Sequence, residues 1–198
     1  MVSSATAPVL MVGGWTVAAE HQPSFNPVTE TVSGLMGMGA NDRWMMTTAF
    51  LSVGVCYIVT GAALRPAGLA GRLILIAGAA AGMVVAANPV PAGGGGSLSH
   101  AFWATLGFTG LATWPIAAWR RGPSVPWALR PRVCFGVVAV QLGLLAWFVV
   151  EIVIGGGQVG LAERAVGLAE ALCPLTVVLS CRLSQARPPR VMRTYGTE

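Results

Sequence analysis

Two glutamates seven residues apart inside an apolar run raise the first chemical question. The stretch GLAERAVGLAEALCPLTVVLS, residues 160–180, carries Glu163, Arg164 and Glu170. At 3.6 residues per turn the two glutamates share one helix face, with Glu170 about 10 Å further along the axis. Gly167 lies between them on that face and leaves room beside them. Lipid cannot solvate a strip of carboxyl groups, so the strip must face a bundle interior or a wet cavity. Glu151, inside the end of the preceding apolar run, is expected to join it. A carboxyl group held out of water favours its neutral acid form. Such an acid in an apolar pocket suits general acid–base work on a hydrophobic molecule.

Glu170, Glu163, Glu151 and His100 are therefore the candidate acid–base residues. Arg164, Asp42, Asn88, Trp103 and Trp147 count among the candidate substrate contacts. Structural roles compete with each assignment. Asp42, with Arg43, could cap a helix. Glu163 and Arg164 could be interfacial charges, and His100 could simply begin a helix. Glu151 and Glu170 could pair with Arg164 or with backbone groups.

Composition says what must position these residues. Of 198 residues, 55% are hydrophobic and 10% charged, against about 25% charged in soluble domains. The mean hydropathy is +0.69. All twelve basic residues are arginine, and the net charge is +5. The arginines fall in short connections between apolar runs, as membrane orientation rules produce, so a nucleic-acid partner is not expected.

The apolar runs predict an all-α integral membrane bundle of six transmembrane helices. The spans are 5–19, 44–64, 68–87, 101–119, 133–154 and 161–181, forming one membrane domain with a tail over 182–198. No positive region precedes Ala5–Ala19, so that run reads as a first membrane helix and not as a signal peptide. Arg65, Arg72, Arg120, Arg121, Arg130, Arg132, Arg182, Arg187, Arg190 and Arg193 gather on one side, and Arg43 and Arg164 on the other. The positive-inside rule then puts both termini in the cytoplasm and the chain in the inner (plasma) membrane. Every acid except Glu198, and both histidines, belong to the outer half.

The connections and small residues refine the picture. The outer stretch His21–Asp42 is long enough to fold over the bundle, either as a lid or as a loose connector. Asn88–His100 is a Pro/Gly linker. Gly78 and Gly82 form a GxxxG pattern, more often an internal packing face than a dimer interface. Cys56, Cys134, Cys173 and Cys181 form no CxxC pair and read as small apolar residues. Trp44, Trp114, Trp119 and Trp127 sit near predicted span ends, as an aromatic belt would. No metal or cofactor motif is recognisable, and neither group is expected.

Three stretches carry a resemblance. FNPVTETVSGLMGMGANDRWMMTTAFLSVGVCYIVTGAAL, NPVPAGGGGSLSHAFWA and GLAERAVGLAEAL resemble the first loop and second helix, the Pro-containing loop before the fourth helix, and the sixth helix of a family of small bacterial six-helix membrane proteins of unknown function. The resemblance implies a six-helix bundle, and it implies Ser33, His100, Glu163 and Arg164 as family positions. It implies no activity.

Three functions fit these features. One is an intramembrane, metal-independent enzyme acting on a lipid-like or isoprenoid molecule, such as a cyclase or isomerase. Another is a lipid-binding or accessory subunit with a membrane-protein partner or a second copy of itself. The third is a proton- or cation-coupled carrier. An apolar cavity of about 300 Å³ or more ending at the acids would mark the enzyme or lipid binder. Paired carboxyls in a dry core would mark the accessory subunit.

Overall fold

A computed structural model describes residues 1–92 and 97–186. It contains six long helices: α1 (Val2–Glu20), α2 (Trp44–Ala63), α3 (Leu69–Ala87), α4 (Leu98–Ala118), α5 (Pro131–Ile154) and α6 (Val159–Gln185). Two short 3-10 turns, Ser33–Met36 and Trp127–Leu129, lie in the longer connections. No strand occurs among the described residues. Five of the helices, all but α4, are long and apolar enough to cross a membrane. The chain is therefore a multi-pass membrane protein, with α4 as a sixth helix of 21 residues.

The predicted spans coincide with the helices, which are longer at several ends. Helix α1 starts at Val2, α4 at Leu98 and α5 at Pro131. Helix α6 continues to Gln185, so residues 182–185 belong to it and not to the expected tail. The rest of that tail, with Arg187, Arg190, Arg193 and Glu198, lies outside the described residues, as does Gly93–Gly96 of the Pro/Gly linker.

Local chemistry sets the helix ends. Pro131 occupies the first turn of α5, where its missing N–H would have no helical partner anyway. Gly155 closes α5 at φ 64°, ψ 40°, the left-handed geometry that glycine adopts without strain. The Ser97 hydroxyl caps α4 by accepting from the His100 N–H. The Arg72 guanidinium donates to the last carbonyls of α2, at Gly61 and Ala62. That interaction satisfies acceptors which lipid could not. Pro8, Pro115 and Pro174 lie within α1, α4 and α6, where neighbouring helices shield the interrupted backbone.

Each helix packs on its neighbours in sequence, and α1 also packs on α6, so the six close into a ring. Helix α6 leans inward and touches α4 as well. More than half of its membrane stretch is buried (56%), against 17% for α5. Helix α6 is therefore the element around which the bundle is built, and α5 lies at the periphery.

The closest crossing is between α3 and α4, and glycine makes it possible. A Cβ on Gly110 would sit 2.9 Å from the Gly78 Cα, and one on Gly78 would meet the Leu111 N–H at 3.0 Å. The GxxxG pattern is thus an internal packing face. Trp114, expected in an interfacial belt, is instead buried in the core at 1% exposure. Trp44 and Trp127 are exposed, and Trp119 carries the Arg121 guanidinium over its ring at 5.1 Å.

Gly110→Ala should lower stability by about 1–3 kcal/mol, because the added methyl forces two backbones apart. Gly136→Ala, on the open face of α5, should leave stability unchanged. Thermal unfolding in detergent compares the two directly.

Candidate functional site

The first long connection, His21–Asp42, is neither a loose strand nor a detached flap. It folds onto the first turns of α6, and Glu163 and Arg164 hold it there. The Glu163 carboxylate accepts from the backbone N–H of Val32, from the Ser33 N–H at 3.3 Å and from the Ser33 hydroxyl at 2.8 Å. Arg164 reaches the same loop with one nitrogen. Its Nη1 donates to the carbonyls of Pro27 and Glu30, both at 2.8 Å, and to that of Gly160 at 2.9 Å. The guanidinium also lies over Phe25 at 5.5 Å and Trp15 at 6.0 Å. The Leu161 N–H donates to the Val28 carbonyl. Gly160 has no side chain because the loop carbonyls of Glu30 and Pro27 occupy the space a Cβ would need. Ser33, implied by resemblance, thus meets Glu163 directly.

Beneath this clasp lies a cavity of about 50 Å³ inside the helix ring. Met11 and Trp15 of α1, Phe50 of α2, Gly82 of α3 and Phe108 of α4 line it. Val32, Ser33 and Met36 of the loop cover it, and Glu163, Gly167 and Glu170 of α6 form its acidic strip. The shared face read from the seven-residue spacing is therefore real. Gly167 leaves room there, since a Cβ would meet only Trp15, at an ordinary 3.8 Å. The cavity is several times the minimum for one water, yet well below the roughly 300 Å³ expected of a preformed lipid or isoprenoid pocket.

The two carboxyls differ in state. Glu163 is 5% exposed and fully engaged by the loop, whereas Glu170 is 3% exposed and its Oε1 has no partner among the described residues. It shares that state with the Tyr57 hydroxyl, Trp114 Nε1, Gln141 Oε1 and Arg164 Nη2, and Glu170 is the one carboxyl among them and lines the cavity.

The remaining candidates stand elsewhere. Glu151 does not join the strip. It holds the α5–α6 turn, accepting from the Gln158 N–H at 2.9 Å and from Trp147 Nε1 at 3.4 Å. A residue at the helix end finds those N–H groups closer than the bundle centre. His100 and Asn88 staple α3 to α4: His100 Nδ1 bonds the Asn88 carbonyl at 2.8 Å, and Ser99 donates to the Asn88 Oδ1. Asp42, at a left-handed φ of 47°, pairs with His21 at 3.0 Å and accepts from Trp44 Nε1. It ties α1 to α2 at the outer face of the loop. Trp103 packs edge-on to Phe102 at 5.2 Å and against the main core. Trp147 packs in a separate cluster with Phe148, Ala162 and Val166.

Sequence reading missed Trp15, Phe50 and Phe108, which resemble any other membrane aromatic until the ring closes. It also missed Tyr57, a polar residue in the middle of α2, which is buried at 2% exposure with an unpartnered hydroxyl. Being one of two tyrosines in the chain, and deep in a span, was the available signal.

A ring of apolar helices, a pinned extramembrane loop and one unpaired carboxyl at mid-bundle define a multi-pass membrane protein with an acid-lined interior. The chain belongs to the family described as "Protein of unknown function (DUF998)", whose model matches residues 5–180. No curated protein and no solved structure matches it.

Glu163→Ala should free the loop. It leaves the Val32 and Ser33 N–H groups unpaired and should cost on the order of 3 kcal/mol. Hydrogen exchange at residues 26–36 should accelerate, while exchange in α3 and α4 stays slow. Arg164→Lys should give a similar, smaller acceleration, because an ammonium keeps a donor for the loop carbonyls but loses the planar guanidinium that lies over Phe25 and Trp15.

Proposed function

We propose that this protein handles protons across a membrane, with Glu170 as the group that takes up and releases the proton. The observation that carries this reading is the unpartnered Glu170 Oε1 in a small cavity at the middle of the bundle. An ionisable residue inside a membrane span is by default a functional group. A proton needs no large pocket, so about 50 Å³ is sufficient. A metal cation fits less well. Hard cations of the calcium and magnesium type take about six or more oxygen ligands, and the cavity offers little beyond Glu170 once Glu163 and Ser33 are bonded to each other.

The cavity volume also weighs against the enzyme on an isoprenoid or lipid-like substrate. Three of its four candidate acid–base residues, Glu163, Glu151 and His100, already hold loops or helix ends. A lipid-binding or accessory role draws on a separate observation. An apolar groove of about 300 Å³ runs along α5 and α6 between Trp127 and Thr176, suited to an acyl chain or a partner helix.

In this reading both termini face the cytoplasm of a bacterial inner membrane and the His21–Asp42 loop covers the cavity from outside. Seven arginines among the described residues (Arg65, Arg72, Arg120, Arg121, Arg130, Arg132 and Arg182) lie at the terminal end, and Arg43 and Arg164 at the other. A cysteine at exposed Thr29 should react with an impermeant thiol reagent from outside whole cells, and one at exposed Ser124 should not. The reverse pattern overturns the orientation.

Glu170 itself is tested with a hydrophobic carbodiimide, which couples to protonated carboxyl groups inside membranes. Wild type should be modified at Glu170, and Glu170→Gln should fold with near wild-type thermal stability and lose both the modification and the cellular function. A fully functional Glu170→Gln protein removes the proton role and leaves the accessory reading.

A further inference from the structure

Charge is divided unevenly between the two ends of the bundle. Glu20, Glu30, Asp42, Glu151 and Glu163 lie toward the loop-covered end, and Glu170 lies at mid-bundle. The terminal end therefore holds arginines and, among the described residues, no carboxylate. A cleft of about 270 Å³ opens at that end between α1, α2 and α6. Ser3, Thr60, Arg182 and Gln185 supply its polar lining, and Ala63, Leu64, Pro66 and Val178 its apolar lining.

The polar groups of the cleft have donors to spare. Arg72, nearby, is committed to the Gly61 and Ala62 carbonyls. Arg182 is exposed, and its side chain has no hydrogen bond or ion pair among the described residues. The Ser3 and Thr60 hydroxyls bond each other at 2.9 Å, and Thr60 is 3% exposed. That bond uses one of their two hydrogens, and the other has no acceptor among the described residues. The cleft is thus rich in donors and poor in acceptors, which suits an anion. Its surroundings name the source. Val2, Val59 and Leu183, each next in sequence to a cleft residue, are exposed apolar side chains. In a membrane these lie in lipid, so the rim of the cleft borders the bilayer.

We infer that the cleft between α1, α2 and α6 binds the phosphodiester headgroup of an anionic phospholipid, taken from the leaflet on the side of the termini. The Arg182 guanidinium pairs with the phosphate oxygens, as its planar fork is shaped to do. Gln185 and the spare hydroxyl hydrogen of the Ser3–Thr60 pair donate to the headgroup oxygens. The apolar lining covers the glycerol carbons, and the acyl chains stay in the bilayer beside Val2 and Leu183. A zwitterionic headgroup is disfavoured, because its ammonium would face arginines with no carboxylate to pair with. Basic sites between helices on the cytoplasmic side recognise lipid phosphates in this way. The bound headgroup would tie α1 to α6, a role separate from that of Glu170.

The test is lipid titration of the delipidated full chain in non-ionic detergent, read by native mass spectrometry. The probes are dioleoylphosphatidylglycerol and dioleoylphosphatidylcholine. Wild type should bind the first phosphatidylglycerol about tenfold more tightly than phosphatidylcholine. Arg182→Gln should erase that preference, and Ser3→Ala should weaken it severalfold. Arg182→Lys should keep part of it, because the charge remains without the planar fork. Arg182 is exposed, so both of its variants should unfold thermally like wild type in lipid-free detergent. An Arg182→Gln protein that keeps the full preference overturns the inference. So does a preference lost in the triple variant Arg187→Gln, Arg190→Gln, Arg193→Gln with Arg182 intact, which assigns the lipid to the tail. If millimolar inorganic phosphate protects wild type but not Arg182→Gln from thermal unfolding, as strongly as phosphatidylglycerol does, the cleft holds free phosphate and the lipid assignment falls.

Discussion

The grip of Glu163 and Arg164 on the first loop is the interaction on which the rest of the structure depends. The loop crosses the open end of the helix ring with several backbone N–H and C=O groups turned inward. Unpaired, these would be costly at the edge of an apolar medium. One carboxylate satisfies the donors of Val32 and Ser33, and one guanidinium satisfies the acceptors of Pro27 and Glu30. The adjacent positions in sequence matter, because consecutive residues on a helix point about 100° apart. Glu163 can therefore turn inward to the loop's 3-10 turn while Arg164 reaches the turn beside it, at Pro27 and Glu30. Gly160, one turn earlier, lets the loop backbone approach closely.

This grip explains why one strip of acid on α6 contains two residues with different fates. Glu163 sits where loop backbone is available and becomes part of the cover. Glu170, two turns deeper, has no hydrogen bond to the loop and lines a cavity whose other walls are mostly apolar. The helix repeat that aligns them also separates them by enough depth that no single partner serves both. Burying a polar group without a partner is costly, and Glu170 carries the one unpartnered carboxyl oxygen among the described residues. The tight α3–α4 crossing through Gly78 and Gly110 lies beside the stretch of those helices, Gly82 with Gly107 and Leu111, that walls the cavity opposite Glu170.

Much of the fold was legible in the sequence, because hydropathy and helix length act locally. The six helices fall where apolar runs predicted them, and Gly78–Gly82 marks an internal crossing. The shared face of Glu163, Gly167 and Glu170 followed from helix geometry alone. The loop clasp was not legible, because it depends on which backbone groups of residues 27–33 meet α6, a contact more than 130 residues apart in sequence. Glu151 and His100 misled for a related reason. Being polar at the same end as the acids does not decide whether a side chain turns inward or bonds the nearest helix terminus, and both found partners within their own connection. Tyr57 and the cavity aromatics could be recognised only once the ring order was known.

The central claim is that the clasp covers a small cavity leading to Glu170. The most direct measurement is the rate at which a cysteine at position 170 reacts with a small charged thiol reagent, followed by site-resolved mass spectrometry. In Glu170→Cys alone the reaction should be slow. Adding Glu163→Ala should speed it at least tenfold while the helices remain folded by circular dichroism. Equal rates in the two proteins, whether both fast or both slow, would contradict the account, since the loop would then not control access to the centre of the bundle.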